Sequence, residues 1–189
     1  MSVLRWLRIF LPLVLVALLV AAVVLVFSSR NDLRQARARV DASWTPLRDK
    51  LDARYAVLHT AFANDSVKSV PGPVHAIVEN TATTWQHWRD LLTHQGSVAD
   101  EVATANDLEA AGRRLVHAVR AAPRLQNNQS AQAAITKYAN TALPNVTVIA
   151  DFEHQAERFQ KLRDRPANRL AARVLGYAAI PDYDTTTSG

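Results

Sequence analysis

An uncharged apolar run from Ile9 to Phe27, "IFLPLVLVALLVAAVVLVF", constrains this chain more than any other stretch. At about 1.5 Å per residue a helix of that length crosses a roughly 30 Å hydrocarbon layer, and the residues predict a transmembrane helix over 9–27. Trp6 stands where an indole anchors at the interface, and Arg5 and Arg8 flank one end within a short basic tail, 1–8. Pro12 sits near the start, where proline costs a helix least. A cleaved signal peptide is the competing reading. The run exceeds the usual 7 to 15 or so apolar residues of a signal sequence, and "VLVFSSRND" offers no A-x-A-like site, so a retained single-pass anchor in the cell membrane is expected.

Both flanks of the run are basic. Arg5, Arg8 and the free amine precede it, and Arg30, Arg34, Arg37 and Arg39 follow it, so the charge rule leaves open the side on which the rest of the chain lies. Those four arginines are candidate membrane-surface residues, each worth roughly 1 kcal/mol beside anionic headgroups. A solvated face that also acts as a topology signal is the plainer reading of the same row.

Beyond the anchor the periodicity is helical throughout, without the sustained alternation of half-buried strands, and the fold class expected is all-α. Leu33, Val40, Trp44, Leu47, Leu51, Tyr55, Leu58 and Phe62 form one stripe of a first helix over about 31–63, ended by "VKSVPGP". Pro46 lies inside it. Because the apolar phase passes through intact, a kink is favoured over a break in which Thr45 caps a new helix with Pro46 at its first position. A second helix, about 74–94, carries Val74, Val78, Thr81, Trp85, Trp88 and Leu92, with Gly96 as terminator. Ser97 caps a third through Val98, Val102, Ala105, Leu108, Leu115 and Val119 up to Pro123. Ser130 is the expected cap of a fourth through Ile135 and Tyr138, which Pro144 interrupts before Phe152, Phe159 and Leu162; a short helix over about 167–175 follows to Gly176. Short connections favour an antiparallel four-helix bundle with long helices over 31–177, with a flexible tail over 178–189. A coiled-coil homo-oligomer is the alternative use of the same stripes.

The 189 residues, about half of them apolar, suffice for one anchored domain with one core. The absence of cysteine excludes disulfide and thiolate chemistry. The formal charge of +5 arises from 22 basic against 17 acidic residues, too mild and too interleaved to mark a nucleic-acid surface, so no nucleic-acid partner is expected.

"NDLRQARARVDASWTPLRDKLDARYAVLHTAF", directly after the apolar run, resembles the opening of LemA-family proteins in the spacing from Val40 through Trp44 to Leu47, Leu51, Arg54 and Leu58. "FEHQAERFQKLRDRPANRLAARVLGY" resembles the family's end, with Phe152 and Phe159 seven apart, then Pro166, Asn168, Ala172 and the Gly176-Tyr177 pair. The likeness covers the anchor, the first helix and the last quarter. Family members usually have Tyr-Asn where this chain has Phe152-Glu153 and Phe159-Gln160, and a helix former at the place of Pro46. The resemblance implies a single-pass membrane protein with a helical bundle, and it brings no established enzymatic activity with it.

Three constellations bear on chemistry. "DFEHQAE" spaces Asp151, His154 and Glu157 by threes, but the paired Glu-x-x-His motifs of a di-iron bundle are missing and Phe152 and Phe159 mark the buried face, so neither metal nor other cofactor is expected. In "WQHWRDLLTH", His87 and His94 stand about 10 Å apart along a helix, too far to share an ion. Trp85 and Trp88 there are candidate partner or pocket residues, against a plain reading as core aromatics. "RRLVHAVRAAPR" over 113–124 sets Arg113, Arg114, Arg120 and Arg124 around an apolar stripe, an amphipathic surface or a solvated face. No phosphate-cradling loop, nucleophile elbow or zinc helix occurs, and no catalytic residue is assigned. The leading expectation is a non-enzymatic binding or scaffold module at the cell envelope, with the lipid bilayer and a membrane or envelope protein as partners. An accessory or catalytic subunit with a small polar or metal site inside the bundle is the alternative.

Overall fold

The computed structural model describes the backbone of residues 3–184; ahead of Ser29 the described side chains are those of Val14, Val16 and Val20. Among the described residues the chain is all-α, with eight helices and no strand: α1 (Val3–Phe62), α2 (Asp65–Lys68), α3 (Pro73–Thr93), α4 (Val98–Ala121), α5 (Pro123–Gln126), α6 (Gln129–Ala139), α7 (Val146–Arg163) and α8 (Pro166–Val174). Among the described residues no helix is long and apolar enough to cross a membrane. The expected span over 9–27 falls, apart from Val14, Val16 and Val20, on side chains outside those described.

α1 is continuous through Pro46, so the break considered at Thr45 does not form. Thr45 caps nothing; its Oγ1 donates to the carbonyl of Asp41 at 2.9 Å, one turn back. Proline inside a helix costs about 3 kcal/mol. Burying a large apolar side chain returns about 1.5–3 kcal/mol, and Trp44, Leu47 and Leu51 on one face outweigh the loss.

The helix ends obey local chemistry, with corrections. Ser97 accepts from the Asp100 N–H at 3.2 Å, as its place before Val98 predicts. The cap of α6 is Asn128, not Ser130: its Oδ1 accepts from the Ala131 N–H at 3.0 Å, because the residue with extended backbone is the one whose side chain reaches back over the first turn. Ser130 instead accepts from Asn64 Nδ2 at 2.8 Å. After α3 the left-handed residue is Gln95, φ 53°, while Gly96 donates to the Leu91 carbonyl at 2.8 Å and fits because a Cβ there would stand 2.6 Å from Leu91 Cδ2. After α8 Gly176 itself takes φ 69°, and Tyr177 N–H closes the turn on the Ala172 carbonyl at 2.9 Å.

The single bundle expected over 31–177 is divided into two compact units, Met1–Val40 with Gln155–Ala179 and Asp41–His154 with Ile180–Gly189. The larger unit alternates helix direction. Trp44 meets Glu101 and Arg54 meets Glu109, so α1 and α4 run the same way. Tyr55 against Trp88 and Phe62 against Trp85 set α3 antiparallel to α1. Asn64 with Ser130, Arg54 with Tyr138 and Trp44 with Phe152 place α6 and then the first half of α7 along the fourth, downward position. Inside lie Leu47, Leu51, Leu58, Val102, Leu108, Leu115 and Ile135, all buried. The tail differs from expectation: Ile180 and Tyr183 are buried, and Asn106 holds the segment by donating to the Asp182 carbonyl at 2.9 Å and accepting from the Asp184 N–H at 3.0 Å. Residues 185–189 lie outside the described ones.

The smaller unit buries Leu33, Val40, Phe159, Ala171 and Ala172. Phe159 meets Tyr177 edge-on at 6.0 Å, and buried Asn168 donates through Nδ2 to the Leu162 carbonyl at 2.8 Å, tying α8 to the end of α7.

Gly112 marks the tightest approach in the larger unit: a Cβ there would stand 2.2 Å from Tyr138 Oη and 2.6 Å from Cζ. Alanine gains about 1 kcal/mol of helix propensity, but overpacking a filled site typically costs about 1–3 kcal/mol, and Tyr138 is 2% exposed. Gly112→Ala is expected to lower stability by up to about 2 kcal/mol, seen as a lower urea midpoint with an unchanged slope. A raised midpoint would show that the ring yields at no cost.

Candidate functional site

Three buried charges, Arg54, Glu101 and Glu109, sit on apolar stripes, and the first and last of them pair. Arg54 follows Leu51 by three and precedes Leu58 by four, and Glu109 follows Ala105 by four and precedes Gly112 by three, so α1 and α4 carry both inward, at 7% and 4% exposure. They form a two-pronged pair, Nε to Oε1 at 2.8 Å and Nη2 to Oε2 at 3.2 Å. The remaining nitrogen, Nη1, donates to the carbonyls of Thr141 and, at 3.4 Å, Tyr138, just where α6 ends. Tyr138 lies with its ring centroid 4.5 Å from the guanidinium carbon and donates its hydroxyl to Glu109 Oε2 at 3.4 Å. Tyr55 donates to the Ala105 carbonyl at 3.0 Å. One pair thus joins α1, α4 and the end of α6.

Electrostatics lock the protonation states. Burial works against the Arg54 charge, but the hydrogen bond to Glu109 and the neighbouring Tyr138 and Glu109 oxygens outweigh it, and its pKa is raised. Burial first and the Glu109 carboxylate second push the Tyr55, Tyr138 and Tyr183 phenols well above the ordinary tyrosine range. The phenols stay neutral donors, the guanidinium stays charged, and both Glu109 oxygens are engaged. The cluster is chemically satisfied, and its reach is structural: it fixes where residues 138–141 run.

Two open cavities have members of the cluster in their walls, Arg54, Glu109 and Tyr138 in the first and Glu109 in the second. A groove of about 950 Å³ is lined by Arg113, His117 and Arg120 of α4, one face at steps of four and three, and by Asn140 to Leu143 beyond α6. A second, of about 350 Å³, is lined by Pro144, Val146, Ile149, Glu153 and Tyr183 among others. Glu109, Arg113 and Leu143 belong to both, and Leu143 and Val146 are exposed apolar side chains at 40% and 79%. The continuous surface is cationic on the α4 wall and apolar at the loop.

The residues expected from the sequence fall elsewhere. Trp88 is fully buried, edge-on to Tyr55 at 5.3 Å, with Nε1 donating to Asp52 Oδ1 at 3.0 Å. Trp85 is half-buried and stacks on His59 at 4.2 Å. Neither lines the two cavities just described. Arg34 and Arg39 are exposed, Arg30 and Arg37 half-buried, and the Arg37 guanidinium lies 6.0 Å from the Phe159 centroid. Asp151, His154 and Glu157 are exposed on α7, and among the described residues no three His, Asp or Glu side chains gather as a metal site would require. Sequence reasoning passed over Arg54 and Glu109 as site residues, although a charge on an apolar stripe is the signal that finds them. No family model, no curated protein and no solved structure matches this chain.

Proposed function

We propose that this is a single-pass, membrane-anchored helical-bundle protein of the LemA type, acting as a non-enzymatic binding or scaffold module at the cell envelope. The run over 9–27 and the resemblance around Trp44 and Pro166 support the anchor and the family. The observation that carries the binding role is the open groove of the larger unit: Arg54, Glu109 and Tyr138, which line part of it, satisfy one another, and the rest of its wall is formed by Arg113, His117, Arg120 and Leu143. An acidic segment with an apolar side chain complements that wall, its charges meeting the arginines and its apolar group meeting Leu143.

A photo-cross-linking residue at Ala142, within the groove, tests this in full-length protein expressed in its own membrane. A discrete adduct is expected from Ala142, none from the exposed Asp90 of α3, and a several-fold loss on Arg113→Glu with Arg120→Glu. An adduct of twice the chain's mass identifies a second copy as the occupant. No adduct, or one indifferent to the two arginines, overturns the reading.

A further inference from the structure

The smaller unit holds a third cavity, also cationic. A groove of about 430 Å³ is walled by Asp32, Gln35 and Arg39 of α1 and by Gln155, Arg158 and Lys161 of α7, with Arg165 just beyond α7. Four cations face one carboxylate. Lys161 is shared with Glu157 at 2.6 Å, and Asp164, the nearest acid to Arg165 in sequence, is taken by Arg163 at 2.8 Å. The cavity therefore holds guanidinium and amide donors in excess over acceptors, the donor set that suits a phosphate group.

Its place along α1 narrows the source. At about 1.5 Å per residue, Asp32 to Arg39 lie roughly 8–18 Å beyond Phe27, where the apolar run ends, and a headgroup layer extends about 5–8 Å past the hydrocarbon. The groove therefore begins, at Asp32, at the outer edge of that layer and extends beyond it to Arg39. Two further features of the same unit suit a lipid surface. α8 exposes Leu170 and Val174 at 56% and 71%, one turn apart, with exposed Arg169 and Arg173 beside them, the apolar and basic pairing of an interfacial helix. Arg30, three residues past the run, has a buried Nε without a hydrogen-bond partner among the described residues.

We propose that the groove ringed by Arg39, Arg158, Lys161 and Arg165 binds the phosphate of an anionic lipid headgroup, with α8 resting on the same leaflet. This rests on the membrane-anchored reading. It assigns to residues of α7 and α8, distant in sequence from the apolar run, the task of gripping the surface that the arginines after the run approach.

The test uses the full-length chain in neutral-lipid nanodiscs doped with phosphatidic acid, with phosphatidylserine or with neither, and counts lipids retained in native mass spectrometry. Retention of phosphatidic acid is expected on the order of tenfold above phosphatidylcholine, falling about tenfold in Arg158→Gln with Arg165→Gln and unchanged in Arg114→Gln with Arg124→Gln, two exposed arginines outside the groove. Equal retention by wild type and the Arg158/Arg165 variant overturns the site. Displacement by inorganic phosphate at concentrations comparable with the lipid overturns the headgroup as its source. Alkaline extraction of native membranes separates the two readings: wild type released into the supernatant sinks the anchor, whereas a variant that stays in the membrane but retains no phosphatidic acid has lost this site alone.

Discussion

Glu109→Gln is expected to destabilise the larger unit by about 3–5 kcal/mol, the cost of leaving a buried charge without its partner. The amide keeps the size and one acceptor of the carboxylate but removes the counter-charge of Arg54, which stays ionised and is 7% exposed. With folding free energies of about 5–15 kcal/mol, that is a large share, and melting should fall by on the order of 10 °C. Circular dichroism of the full-length chain against temperature reads it. The informative companion is Arg54→Met with Glu109→Leu, since replacing a buried pair by apolar groups is often neutral or stabilising. If the double variant recovers most of the loss, the pair is a device for fixing register among α1, α4 and α6. If it is as unstable as Glu109→Gln, the Arg54 bonds to the Tyr138 and Thr141 carbonyls carry the stability instead.

Trp44→Ala should cost as much by another route, about 3–5 kcal/mol, because it empties a large buried volume that the neighbours fill only in part. Trp44 is 1% exposed, its ring lies 5.0 Å from that of Phe152, and its Nε1 donates to Glu101 Oε2, so one side chain packs α7 and hydrogen-bonds α4. Trp44→Phe keeps most of the volume and is expected to lose only the hydrogen bond to a charged group, about 1.5–3 kcal/mol. Trp85→Ala, half-buried against His59, is the control and should cost the least of the three. Urea unfolding monitored by circular dichroism ranks them, and a midpoint for Trp85→Ala below that of Trp44→Ala would contradict this placement of the core.

The fold was largely legible because helical burial repeats at a fixed step. Trp44, Leu47, Leu51, Tyr55, Leu58 and Phe62 form one stripe in the sequence, and all six are buried. Pro71, Gly72 and Pro73, Ser97 and Pro123 also set helix ends where local chemistry put them, since caps and breaks depend on neighbours within a turn. The cap of α6 was misplaced by two residues because Asn128 and Ser130 are both competent, and only the backbone angles choose between them.

The candidate site was half legible. That Arg54, Glu101 and Glu109 interrupt apolar stripes is visible in the spacing alone, and buried charges require partners. Which charge meets which is not local information: Arg54 lies 55 positions from Glu109, and the choice of Glu109 for Arg54 and Glu101 for Trp44 depends on the parallel register of α1 and α4. The burial of Ile180 and Tyr183 was hidden for the same reason, since their neighbours are distant in sequence and the segment has no period to read.

By itself, then, the sequence determined an all-helical chain, most of its helix limits and the inward face of each long helix, because those follow from interactions within a few residues. Tertiary structure alone decided the pairing of Arg54 with Glu109, the division into two units and the gathering of Arg39 with Arg158, Lys161 and Arg165 around one groove. Each of these depends on where separate helices stop and how their faces align, and no step of three or four residues encodes that.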